Sequence, residues 1–132
     1  MKLARKRILL ADCHEDVLIT LEKLLEDAGF ETTTAWTAKE ALKLVDSIAF
    51  DLALVNEYLP DAECEDVLKA IQKSGQRTLC VVMQPREPEF MDFVRFGASG
   101  AKDIVCKRRF WQILQLAKQC LVCDRKKQIS VA

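Results

Sequence analysis

Short apolar or β-branched runs alternate with stretches of helical period along most of this chain, and that alternation restricts it to a narrow set of folds. Arg7–Ala11 has the length and composition of a buried strand. Val17, Leu18, Leu21, Leu24, Leu25 and Ala28 then recur at helical spacing, and Gly29 is a stop signal. Residues 30–35 read as a second strand through their threonines. Thr37 and Glu40 form a capping box that opens a second helix with Ala38, Ala41, Leu42 and Val45 on its inner face. Residues 52–55 are an apolar run of the kind covered on both faces, and Asn56 stands at its exit, ahead of a loop marked by Pro60 and Asp61. Val67, Leu68 and Ile71 place a third helix, closed by Gly75. Residues 78–83 form a fourth strand, and after the turn Gln84-Pro85-Arg86-Glu87-Pro88 a fourth helix is expected to carry Phe90, Phe93 and Val94 inward. Residues 101–106 are the fifth strand. Phe110, Ile113, Leu114, Ala117 and Leu121 give the last helix, and residues 126–132 read as a tail.

Strands interleaved with helices imply right-handed crossovers and a parallel sheet with helices on both faces. Ligands of such sheets bind beyond the carboxyl ends of the strands, at the topological switch. With 132 residues, 50% hydrophobic and 30% charged, the chain matches one domain that buries roughly two-thirds of its unfolded surface. Twenty basic and twenty acidic residues cancel, so no overall field draws it to nucleic acid or to an anionic membrane. The short basic clusters, such as Lys107 to Arg109, read as solvated element ends. Residues 8–11 are too short for a signal-peptide core and are stopped by Asp12, so a cytoplasmic location is expected. Of the six cysteines, three fall inside apolar patterns, where a reduced thiol acts as a small hydrophobe. The Cys120-Leu-Val-Cys123 spacing lacks a second pair, and helix packing accounts for it.

The segment Phe-Asp-Leu-Ala-Leu-Val-Asn-Glu-Tyr-Leu-Pro, residues 50–60, resembles the third strand of a response-regulator receiver domain, the CheY-like phosphorylated switch of two-component signalling. The resemblance runs from Arg7 to about Arg125 and implies a single receiver-like domain over residues 1–125. It further implies a flavodoxin-like (βα)5 three-layer sandwich of the α/β class, with a parallel sheet in the order 2-1-3-4-5. Asp12 matches the first of an acidic pair that holds magnesium in the family, and Cys13 replaces the second. Asn56 replaces the phosphoacceptor aspartate, and Gln84 falls where the family has a threonine or serine. The run Gly100-Ala101-Lys102-Asp103-Ile104-Val105-Cys106-Lys107 is similar to the fifth-strand motif, with Lys107 as its lysine. Ile104 takes the place of the switch aromatic there, and Arg108 that of the following proline.

Acyl-phosphate formation needs an ionised carboxylate, and the amide of Asn56 is neutral, with its nitrogen lone pair delocalised into the carbonyl. Magnesium prefers hard oxygen ligands, and a thiol is a poor one. With Asp12 the only retained family ligand, magnesium binding is expected to be weak or absent, although Glu57 could contribute by turning inward. Asp12 and Lys107 are positioned to pair, with Asn56 bridging them; stability alone and a relic switch pocket are both adequate readings of that pairing. The expected function is therefore that of a pseudo-receiver, an atypical signalling module without catalysis or cofactor. It would bind a histidine kinase, another receiver or an effector. A surface formed by the fourth helix, fifth strand and fifth helix, with Met91, Ile104, Phe110 and Trp111, is a candidate for that partner or for a homodimer, with ordinary packing as the other reading. A redox switch at Cys13 is an alternative class, although adjacent Asp12 opposes a low thiol pKa. Flavin binding is weaker still, because the loop Asp12-Cys13-His14-Glu15-Asp16 is acidic and lacks glycine. His14 in that loop reads as a solvated residue beside a helix start.

Overall fold

The computed structural model describes residues 5–121. Its elements run β1 (Arg7–Ala11), α1 (Glu15–Asp27), β2 (Glu31–Ala35), α2 (Ala38–Ser47), β3 (Leu52–Asn56), α3 (Cys64–Lys73), β4 (Leu79–Gln84), α4 (Phe90–Gly97), β5 (Asp103–Cys106) and α5 (Phe110–Leu121). All strand pairings are parallel, in the order β2-β1-β3-β4-β5. Residues 122–132, with Cys123 and the expected tail, lie outside the described residues. Among the described residues no helix is long and apolar enough to cross a membrane.

The period-two alternation of the strands divides the core between the two faces of the sheet. Ile8, Leu10, Leu52, Leu54, Val81, Met83 and Val105 pack against α1 and α5 through Leu18, Leu21, Leu25, Ile113 and Ala117. Leu9, Ala53, Val55, Val82 and Ile104 face the other way, onto α2, α3 and Phe96 of α4. Each fully buried Leu or Ile contributes about 1.5–3 kcal/mol of transfer free energy, and both faces of β3 are covered in this way. The edge strand β2 is only half-buried, which suits its threonines. Two local devices hold the ends of elements. Gly29 adopts φ 101° after α1 and turns the chain into β2, a conformation costly for any residue with a Cβ. Asp61, in the loop after β3, reaches the start of α2, where Oδ1 accepts from Ala38 N at 2.7 Å and Oδ2 from Lys39 N at 3.0 Å. Those amides hold the Asp61 carboxyl below its ordinary value.

Helix α4 lies in a different register from the one its apolar spacing predicts. Phe90, Phe93 and Val94 are exposed (78%, 46% and 49%), while Asp92 and Phe96 turn inward. The cause is polar. Asp92 Oδ2 accepts from the backbone of Glu89 at 2.9 Å and from Gln84 Nε2 at 3.2 Å, which fixes the first turn with its carboxylate toward the sheet.

Candidate functional site

Strand register assembles the site. Ala11 pairs with Val55, so Asp12 and Asn56 leave β1 and β3 side by side, while Gln84 pairs with Cys106 and Lys107 follows it. Asp12, Asn56, Gln84 and Lys107 are all buried. They stand at the carboxyl ends of the strands beside the switch between β1 and β3, where open α/β sheets bind ligands. A cavity of about 470 Å³ opens there, lined among others by His14, Asn56, Tyr58, Pro85, Lys107 and Phe110.

Asp12 is completely buried and doubly engaged. Its Oδ2 lies 3.3 Å from Lys107 Nζ. Its Oδ1 accepts from His14 N at 3.0 Å and lies 2.9 Å from His14 Nδ1. That imidazole nitrogen is also 2.9 Å from Lys107 Nζ, and Cys13 Sγ is 3.8 Å from it. His14 therefore belongs to the pocket and is not merely a solvated residue at the head of α1. Its signal in the sequence is its position two residues after a buried acid, within reach of that acid's free oxygen.

The bridging role expected of Asn56 is not made. Its amide nitrogen donates to the Tyr58 carbonyl at 2.8 Å, and its Oδ1 is buried without a hydrogen-bond partner. Glu57, next along β3, points away from the pocket. Its side chain is buried and meets Arg86 Nη1 at 3.1 Å and Arg95 Nη1 at 3.7 Å. Arg86 also donates to Asp92 Oδ1 at 2.9 Å, and Arg95 forms a fork with Glu65 at 2.6 Å and 3.2 Å. The hydrogen bond to Glu57, with the charges of Glu57 and Asp92 beside it, pushes the Arg86 guanidinium pKa up. The Glu89 amide, followed by Gln84 and the two arginines, holds the Asp92 carboxyl below its ordinary value, against its partial burial. Burial alone would raise Glu65, but the hydrogen bond and charge of Arg95, with its own backbone amide and the charge of Lys69, together lower it. Gln84 thus spends its amide nitrogen on Asp92 and on the Arg86 carbonyl (3.3 Å), anchoring α4. The sequence signal for this anchor is the spacing of Glu89 and Asp92 at a helix start.

These positions test the pocket for magnesium, and the fit is poor. One carboxylate remains, one of its oxygens faces an ammonium, the neighbouring side chain is a thiol and Glu57 is held by arginines. An acceptor-only nucleophile is equally missing, since Asn56 presents an amide.

The candidate partner surface is also revised. Ile104 is buried between the sheet and Phe96, because the inner position of β5 is filled by the core facing α2, α3 and α4. Phe110 packs against the opposite core. Trp111 is 71% exposed but lines a groove with Thr20 and Leu24 of α1, so it does not extend the surface of α4. What remains is Phe90, Met91, Phe93 and Val94, all on α4. Among the other thiols, burial pushes Cys64 up to about 12 and Cys80 up to about 11, which leaves both inert as nucleophiles.

A five-stranded parallel sheet in this order, with an acid after β1 and a lysine after β5 meeting at the carboxyl ends of its strands, has the architecture of a receiver-type signalling domain. The family model for the response regulator receiver domain matches residues 8–118, and the chain belongs to that family. Its relatives include the transcriptional regulatory protein CpxR of Escherichia coli (33% identical over 101 residues) and the alkaline phosphatase synthesis transcriptional regulatory protein PhoP of Bacillus subtilis (28% over 102). These matches cover 76% and 77% of this chain, which spans 42% of the length of each of those relatives. The CheY-like receiver domain protein of Methanospirillum hungatei superposes with a TM-score of 0.84 at 26% identity, covering 94% of this chain and 99% of its own. The receiver domain of a Luxo repressor protein from Vibrio parahaemolyticus gives the same TM-score at 18% identity, over 98% and 99% of the two chains, and shows the fold alone.

Proposed function

We propose that this receiver domain is a pseudo-receiver: a two-component or phosphorelay module that acts by binding a protein partner and does not cycle through phosphorylation. One observation carries the reading. At the position of the phosphoacceptor stands Asn56, a neutral amide whose nitrogen is committed to the Tyr58 carbonyl. Cys13 and Gln84 support it, since neither the metal ligand nor the gripping hydroxyl of the family is present. The partner is a histidine kinase, another receiver or an effector, and the exposed apolar residues of α4, Phe90, Met91, Phe93 and Val94, offer it a surface. A homodimer through the same helix is the self-associating version of that interaction. The module works in the cytoplasm, without catalysis and without a flavin.

Incubation of the purified protein with acetyl phosphate and magnesium should leave its intact mass unchanged. A stable gain of one phosphoryl group overturns the reading. Pull-down with the dimerisation domain of a histidine kinase, compared between the wild type and Phe90→Ser/Met91→Ser, tests whether the α4 face takes part in recognition.

A further inference from the structure

Helix α4 keeps most of its large apolar side chains on its open face. Phe90, Met91, Phe93 and Val94 are exposed, while Asp92 and Phe96 turn inward. Removing aromatic rings from water is favourable and burying a carboxylate is not, so this register runs against the hydrophobic effect and is held by something else. A second register lies close at hand. Successive residues of an α-helix stand about 100° apart, which places Phe96 about 40° from Asp92 and Phe93 about 100° from it in the same direction. A roll of about 50°, with Phe96 inward throughout, exchanges the places of Phe93 and Asp92.

The bonds of Asp92 differ in what they resist. The one from the Glu89 amide lies within the cap of α4 and turns with the helix, so it does not choose between the registers. Two others reach outside the helix, from Gln84 Nε2 at 3.2 Å and from Arg86 Nη2 at 2.9 Å. Gln84 is a neutral donor and is only half satisfied here, because its Oε1 is buried without a partner. The bond from Arg86 is charge-assisted, and Arg86 is itself anchored: its Nη1 meets the buried carboxylate of Glu57, on the residue that follows β3, at 3.1 Å. On the other flank Arg95 grips Glu65 of α3 through a long, partly exposed side chain that can follow a small roll of its helix. Among the described residues Arg86 is thus the one cation bonded to Asp92, and that bond requires Asp92 to be inward.

We propose that Arg86 is a latch that sets the register of α4: the clasp of Glu57, Arg86 and Asp92 holds the apolar face outward, and without it the helix settles with Phe93 buried. Display of that face then depends on one guanidinium in the loop between β4 and α4, bonded to the residue next to Asn56. The latch is a property of the helix and stands apart from the pseudo-receiver reading, since its register is measurable with no partner present and a phosphorylatable domain could carry the same clasp.

Fluorine NMR of the full chain with 4-fluorophenylalanine at position 93 reports the register, because the resonance of an exposed ring shifts between light and heavy water and that of a buried ring does not. With Arg86 present the solvent shift is expected. Arg86→Met should remove most of it while the far-ultraviolet circular dichroism stays that of the wild type. In the same background Phe93→Ala should lower the urea midpoint, which it leaves in place when Arg86 is intact. Because Arg86→Met strands Glu57, Arg86→Met/Glu57→Gln repeats both measurements with that charge removed. Adding Asp92→Leu to Arg86→Met should restore the solvent shift, since an apolar side chain then fills the inward position. A solvent shift in Arg86→Met/Glu57→Gln equal to that of the wild type overturns the proposal, as does its absence while Arg86 is intact.

Discussion

The side-chain nitrogen of Asn56 donates to the carbonyl of Tyr58 at 2.8 Å, and the same side chain leaves its oxygen buried and unpaired. An amide is required by the first half of that arrangement, because only a donor can face a carbonyl. The change Asn56→Asp sets two acceptors against each other and buries a carboxylate 2% exposed at this position. Its cost is about 2 kcal/mol near neutrality. Burial raises the folded pKa of the new acid above the unfolded value of about 3.9, so the penalty is absent below that value and develops as pH rises through it. Thermal melts of variant and wild type should converge at acid pH and separate near pH 7; equal midpoints at pH 7 would contradict the buried geometry.

Lys107 is the only cation bonded to Asp12 among the described residues apart from the titratable ring of His14. With a fully buried carboxylate on one side and a nearly buried ammonium on the other, removing either partner strands the other charge. Lys107→Met should cost about 3 kcal/mol in denaturant unfolding. Adding Asp12→Asn to that variant should recover part of the loss, because the stranded charge is then gone. Additive losses in the double variant would mean that the pair does not carry the effect.

The fold was legible because β1, β3 and β4 are buried on both faces and read as continuous apolar runs, and because Gly29, Thr37 and Gly75 punctuate the helices. The candidate positions Asp12, Asn56 and Lys107 were marked by the receiver resemblance, and each also stands where an apolar strand gives way to a polar residue. Their partners were not. Glu57 alternates to the far side of β3, where Arg86, 29 residues away, meets it, and no local pattern signals such a pairing. Phe90, Phe93 and Val94 have helical spacing, but spacing cannot weigh a polar residue satisfied from elsewhere. Asp92 goes inward because Gln84 and Arg86 are there to receive it.

That register gives α4 one apolar anchor. Phe96 is completely buried against Ile104 and the α3 core, and Arg95 Cζ lies 4.5 Å from its ring centroid. Phe96→Ala should cost about 3–5 kcal/mol. Phe93→Ala should stay within about 0.5 kcal/mol, as expected of a side chain on the open face. A reversed order of the two losses in chemical denaturation would restore the inward placement of Phe93 that its spacing predicts.

Acid should weaken the fold through three carboxylates. Asp61 is lowered by the amides of Ala38 and Lys39, Asp92 chiefly by the amide of Glu89, and Glu65 by Arg95 against the opposing effect of its burial. Their ordinary values are 3.8 for the aspartates and 4.5 for Glu65. A folded pKa below the unfolded one means that the unfolded chain binds protons first as pH falls. The stabilisation is therefore complete above 4.5, begins to fall as pH drops through 4.5 and 3.8, and is lost below the lowered folded values. Midpoints of thermal unfolding should be flat with respect to these three groups between pH 5.5 and 7, roughly a unit above the higher value, and should decline steeply below about pH 4. Asp61→Asn keeps an oxygen to cap α2 but cannot titrate, so it should shallow that decline while lowering the plateau. A variant with a slope identical to that of the wild type would remove Asp61 from the set.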